Sequence, residues 1–133
     1  MLDKELTAQQ LKKMPFWDFI GGEVISMEEG EVILGVRNQA NIQQNLGYIH
    51  GGVLATLADT CAGLVALSVL PDVKAVVTSE FKIHYLRPAT SEAVHAVGTV
   101  LKRGKRQTIV EIELKDPASD KLLAKFIGTM VPA

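Results

Sequence analysis

NLGYIHGGVLATLADTCAGLVALSVL, residues 45–70, decides how the rest of the chain is read. It opens polar and glycine-rich, then runs for about twenty residues through small and apolar side chains, just long enough to cross a membrane. One carboxylate, Asp59, stands in the middle of that run. A lone acid in such surroundings is costly unless it is satisfied by partners, protonated or in use. A membrane span is a poor fit, because Asp59 is central, hydroxyls recur at Thr56, Thr60 and Ser68, and no Lys or Arg flanks the stretch. A helix apolar all round in a water-soluble chain is a buried one, so residues 51–70 are expected to form a central helix with other elements wrapped around it.

The bulk composition agrees. With 133 residues, 47% hydrophobic and 22% charged, the chain has room for one domain with a real core. A formal net charge of −1 provides no general attraction to nucleic acid or to an anionic membrane. The single cysteine, Cys61, cannot form an internal disulfide, and the charged, amphipathic start MLDKELTAQQLKKM has no signal-peptide core, so the expected location is the cytoplasm.

Outward from the helix, residues 4–14 read as a short amphipathic helix closed by Pro15 and followed by Phe16, Trp17 and Phe19. Two roles are open to it: docking over a sheet edge or the mouth of the core, or a lid over a ligand. Glu23–Met27 and Glu31–Val36 read as a hairpin across Glu28-Glu29-Gly30, and residues 37–49 as a loop. After the helix, ended by Pro71-Asp72, four strands follow: Ala75–Leu86, Glu92–Leu101, Gln107–Leu114 and Leu122–Val131. In the first of these, alternation puts Val77, Ser79, Phe81, Ile83 and Tyr85 on one face. Short turns make the sheet antiparallel. One long helix shared by several half-buried strands is the pattern of an α+β hotdog fold, a curved antiparallel sheet wrapped around a central helix. It covers 1–133 as one domain, with residues 1–15 packed on it as an N-terminal helix.

The chemistry gathers at two points. His50-Gly51-Gly52 stands at the helix N-terminus, where free N–H groups and the helix dipole attract negative charge and glycines admit a ligand close to the backbone. Such a site can stabilise a carbonyl oxyanion, though the same residues also suit an ordinary loop-to-helix transition. Asp59 can serve as a general base or nucleophile, or be an acid satisfied by hydroxyls and backbone. Eight helical residues, or roughly 12 Å of rise, separate Gly51 from Asp59. An oxyanion donor and a base must both lie about 3 Å from the reacting group, so one helix cannot supply both. If both act, a two-fold dimer must pair Gly51 of one subunit with Asp59 of the other.

Gln44 to Gly52 (QNLGYIHGG), Leu57-Ala58-Asp59-Thr60 and the later His84–Ala89 segment (HYLRPA) resemble the hotdog acyl-CoA thioesterases of the phenylacetate-degradation type, related to the 4-hydroxybenzoyl-CoA thioesterases. The resemblance covers about residues 15–131. It implies hydrolysis of an acyl-CoA substrate, with no metal and no organic cofactor, by a homodimer that assembles as a dimer of dimers. It implies that Gly51 polarises the thioester carbonyl, that Asp59 attacks it or activates water, and that His50 shapes the loop. Many relatives carry Asn where this chain has Gln44, so Gln44 or its neighbour Asn45 would orient water or the carbonyl. Thr78, or Ser79, would provide a hydroxyl opposite the acid. Gly52, Arg87, Pro88 and the cluster Lys102, Arg103, Lys105 and Arg106 are candidates to meet CoA, although a basic hairpin tip is also an ordinary solvated turn. His84 and His95 read as surface residues and Cys61 as core packing. Two rival functions are an acyl-thioester dehydratase or hydratase with His50 as base, and a non-catalytic acyl-CoA-binding module, which would have little use for Asp59.

Overall fold

A computed structural model describes residues 2–133. Its elements are α1 (Lys4–Lys12), α2 (Pro15–Ile20), β1 (Glu23–Glu28), β2 (Glu31–Arg37), a short 3₁₀ turn (Ala40–Ile42), α3 (Gly51–Ser68), β3 (Val76–Tyr85), β4 (Ala93–Arg103), β5 (Thr108–Lys115) and β6 (Leu122–Pro132). The six strands form one antiparallel sheet in the order β1-β2-β4-β5-β6-β3. Strands β2 to β6 pack against α3, giving the hotdog architecture. In β5, Thr108, Val110, Ile112 and Leu114 point into the core and are buried, while Glu111 and Glu113 point out, as their alternation requires. Gly30, at φ 84°, turns β1 into β2, and its N–H donates to the Ser68 hydroxyl at 3.0 Å, tying that hairpin to the end of α3.

Four local readings need correction. The sheet covers only one side of α3. Val53, Leu54, Leu57, Ala58, Cys61, Ala62, Val65 and Ala66 are buried against it, while Ala55, Thr56, Asp59, Thr60, Gly63, Leu64 and Leu67 are only partly covered. An open six-stranded sheet curves around one side of the helix, and the far side of α3 is only partly covered by the described residues. The helix has the length and composition of a membrane span, yet five strands lie along it. It also stops at Ser68, before Pro71, with Val69 as its C-cap.

Pro15 does not simply close a helix over 4–14. The first helix ends at Lys12, and Pro15 opens α2 from its first turn, where its missing N–H has no acceptor to lose. Gly21, left-handed at φ 71°, caps α2. Leu11, Trp17 and Ile20 are buried and α1 packs on β1, so this segment docks over the sheet edge.

In β3 the simple alternation fails. Thr78 pairs with Met130 but Glu80 with Thr129, so Ser79 is the extra residue of a β-bulge. A bulge shifts the side-chain phase by one. Val76 and Thr78 face α3 before it, and Phe81, Ile83 and Tyr85 after it. Val77 is left 52% exposed and Ser79 points away from the helix, so neither shares the face of Phe81.

α3 comes close to the sheet at Gly98, which pairs with Val32 and Ile112. A Cβ there would lie 2.7 Å from Cys61 Sγ and 2.8 Å from Ile112 Cδ1. Gly98→Ala is therefore expected to destabilise the fold by about 1–3 kcal/mol through overpacking. Urea unfolding at fixed protein concentration measures this, and an unchanged midpoint would contradict the close packing.

Candidate active site

His50 is the N-cap of α3, with its Nδ1 accepting from the Gly52 N–H at 2.8 Å. The N–H groups of Val53 and Leu54 donate to the His50 carbonyl. That leaves the Gly51 N–H as the one donor of this first turn with no acceptor among the described residues. Above it lies Tyr85, from the last position of β3, whose hydroxyl donates to the Gly51 carbonyl at 2.7 Å. A Cβ on Gly51 would lie 3.2 Å from the Tyr85 ring, so a glycine keeps this turn slim beneath the phenol. Partial burial raises the Tyr85 phenol above its ordinary pKa, and the phenol is a donor at neutral pH with or without that shift.

The loop before α3 is shaped by a Gln43–Ile49 bridge and by hydrogen bonds from Ile49 to Ala89 and from His50 to Ile42. The Gln44 side-chain oxygen accepts from the N–H groups of Leu46 and Tyr48, while Asn45 is exposed. A groove of about 320 Å³ runs past this loop. Gln44, Tyr48, Gly51, Leu54, Tyr85 and Arg87 are in its walls, and Asn45 is not. Gln44 is thus the residue of that pair beside Gly51.

Asp59 lies two turns along the uncovered side of α3. The Thr78 hydroxyl donates to its Oδ1 at 2.6 Å, which fixes the carboxylate and leaves Oδ2 without a partner among the described residues. The β3 bulge puts Thr78, and not Ser79, within reach.

These two halves sit at opposite ends of the sheet. Tyr85 is level with Ala124, Leu114 and Ala96, whereas Thr78 is level with Met130, Thr108 and Arg103. Seven residues of β3 separate the levels, about 20 Å of strand. Arg87 and Pro88 therefore accompany Gly51, and the tip carrying Lys102, Arg103 and Lys105 lies at the end of Asp59. Within one chain the CoA-binding candidates are split, as Gly51 and Asp59 are.

Tyr85 escaped the sequence reading as a site residue, although its alternation with Phe81 and Ile83 already put it on the helix-facing side. His84 and His95 lie on the outer face of the sheet. Cys61 is buried, with its thiol directed at the carbonyls of Val32 and Ala96. Burial pushes its pKa up to about 12, so it is inert packing.

Residues 46–122, more than half of the chain, match the family model described as the thioesterase superfamily. The chain is 36% identical over 111 residues to a putative esterase of Saccharolobus solfataricus, covering 84% of this chain and 78% of that protein. It is 31% identical to the 1,4-dihydroxy-2-naphthoyl-CoA hydrolase of Listeria monocytogenes, covering 83% and 89%. A thioesterase structure from Haemophilus influenzae superposes with a TM-score of 0.90 at 24% identity, covering 98% of this chain and 90% of that one, which shows the shared fold. The chain belongs to the thioesterase superfamily and is an enzyme of thioester hydrolysis.

Proposed function

We propose that the protein is a cytoplasmic acyl-CoA thioesterase working as a two-fold dimer, with each site built from Gly51 of one subunit and Asp59 of the other. The observation that carries this reading is the division of labour on α3. An unpaired N–H stands at its first residue, and a Thr78-oriented carboxylate stands about 12 Å further on, on the side the sheet leaves open. A second α3 running antiparallel along that side would bring the partner's carboxylate to the first chain's Gly51. β3 supports the same pairing. It is an edge strand hydrogen-bonded only to β6, with Val77, Phe81 and Tyr85 exposed on it and Leu86 exposed just after it. A dimer of dimers is the next assembly in this proposal. The Listeria relative's name supports CoA as the leaving thiol.

In this mechanism the thioester carbonyl lies against the Gly51 N–H. Oδ2 of Asp59 either takes a proton from water as that water attacks, or attacks the carbonyl itself. The oxyanion of the tetrahedral intermediate is held at Gly51 and its helix dipole. Collapse breaks the carbon–sulfur bond and releases CoA, whose sulfur takes the proton held by Asp59 on the general-base route and a proton from solvent on the direct-attack route. On the direct-attack route, water then hydrolyses the Asp59 anhydride. Thr78 holds the carboxylate, Gln44 orients the carbonyl or the water, and His50 keeps the turn in shape.

The dehydratase reading asks His50 to be a base. Its Nδ1 already accepts from Gly52, and the neutral ring has no second acceptor nitrogen. The purely binding reading leaves the Thr78–Asp59 pair without a task. A panel of acyl-CoAs assayed for free thiol tests all three. Thiol release at turnover rates is expected. Loss of enoyl absorbance without thiol, or tight binding with neither, would overturn the proposal.

A further inference from the structure

Two side chains take hold of one peptide at the start of α3, the peptide that joins Gly51 to Gly52. Its N–H, on Gly52, donates to His50 Nδ1 at 2.8 Å, and its carbonyl, on Gly51, accepts from the Tyr85 hydroxyl at 2.7 Å. We propose that Tyr85 is a positioning residue for the Gly51 N–H, clamping this peptide from the sheet while His50 clamps it from the loop. The proposal rests on the reading of that N–H as the oxyanion donor and deepens it.

Three features support the clamp. A peptide between two glycines has no Cβ on either flank and turns more freely than one between larger residues. The Gly51 N–H belongs to the preceding peptide, whose carbonyl, on His50, accepts from the N–H groups of Val53 and Leu54 at 2.9 and 3.2 Å. The Gly51–Gly52 peptide is the link between that N–H and those donors, so its rotation re-aims the Gly51 N–H. The two glycines also make room for the two side chains. A Cβ on Gly51 would lie 3.2 Å from the Tyr85 hydroxyl oxygen, and one on Gly52 would lie 3.0 Å from His50 Nδ1. Finally, Tyr85 is delivered by a fixed strand end. It pairs with Ala124 at the end of the β3–β6 ladder, and the next two N–H groups, of Leu86 and Arg87, donate to the Leu123 carbonyl at 2.8 and 3.1 Å. Among the described residues, Tyr85 is the one sheet side chain hydrogen-bonded to the first turn of α3. The Thr56 hydroxyl, which donates to the Gly52 carbonyl at 2.9 Å, comes from the helix itself.

Tyr85→Phe keeps the ring over Gly51 and removes only the hydroxyl. Its kcat for acyl-CoA hydrolysis is expected to fall about fivefold with KM unchanged, the scale of one partly exposed hydrogen bond. His50→Ala frees the other end of the same peptide and is expected to cost a similar factor. Because both side chains restrain one plane, the double variant should lose little more than either single variant, against the roughly 25-fold product expected of independent residues. A second readout needs no turnover. By NMR, hydrogen exchange of the Gly52 amide is expected to quicken about fivefold in Tyr85→Phe, although the phenol does not touch that N–H. Full kcat in Tyr85→Phe, a loss confined to KM, or a double variant at the product of the singles overturns the proposal. Unchanged Gly52 exchange overturns it as well. If no acyl-CoA releases thiol, the hydrolase reading fails, and the exchange rates still decide whether Tyr85 holds the peptide.

Discussion

Asp59→Ala is expected to lower kcat for acyl-CoA hydrolysis by about 10³-fold or more, the scale set by losing a general base or nucleophile. The fold should survive, because Asp59 lies on the side of α3 that the sheet does not cover and its one side-chain partner among the described residues is Thr78. Asp59→Asn is the sharper variant. The amide oxygen can still accept from Thr78, so the site keeps its shape while the carboxylate is gone. Both variants should give wild-type circular dichroism. Thiol release within tenfold of wild type in Asp59→Asn would remove this residue from the chemistry.

Mixing two inactive variants should restore activity. Gly51→Pro removes the one N–H of the α3 N-terminus without an acceptor among the described residues, at the first helical position where the proline backbone fits; its ring meets the Tyr85 phenol, so the Tyr85→Phe variant alone is the control for displacing that side chain. Loss of a single oxyanion donor lowers kcat by about 10²–10³-fold. If each site takes Gly51 from one chain and Asp59 from the other, a mixed dimer of Gly51→Pro and Asp59→Ala has one doubly altered site and one intact site. Random pairing makes about half of the dimers mixed, each with one of two sites working, so about a quarter of wild-type activity should return. Co-expression with two affinity tags isolates the mixed species. Activity no greater than the sum of the two separate variants would place both residues in one chain's site. The helix geometry forbids that arrangement at roughly 12 Å of separation.

Much of this was legible in the residues. The apolar run 51–70, the hairpins around Gly30 and the alternation in β5 follow from local patterns that tertiary packing did not override. The spacing from Gly51 to Asp59 already excluded a site within one helix. Other features turned on geometry that a period of two or 3.6 does not encode. Ser79 is an extra residue in β3, and nothing in VVTSEFKIHY marks where a bulge will shift the phase. So the choice between Thr78 and Ser79 stayed open until the register with β6 was known. Gln44 and Asn45 are adjacent loop residues of similar chemistry, and only the folded loop places Gln44 in the wall of the groove that Gly51 lines while Asn45 is exposed. Pro15 suits the end of one helix and the start of another equally well, and Gly21 with buried Trp17 and Ile20 decided for a start.

The sequence by itself determined that a long apolar helix carries an oxyanion-type turn at one end and an acid in its middle, because composition and helical rise are local quantities. Only the tertiary structure decided how those parts face. A sheet of six strands can curve around one side of α3 and no further, so the Asp59 side stays open. The direction of β3 along the helix sets Tyr85 and Arg87 beside Gly51 and leaves Thr78 beside Asp59, with the basic tip at that same end of the sheet. Which groups share an end of the sheet depends on strand register, a property of pairs of distant segments that no single stretch of residues contains.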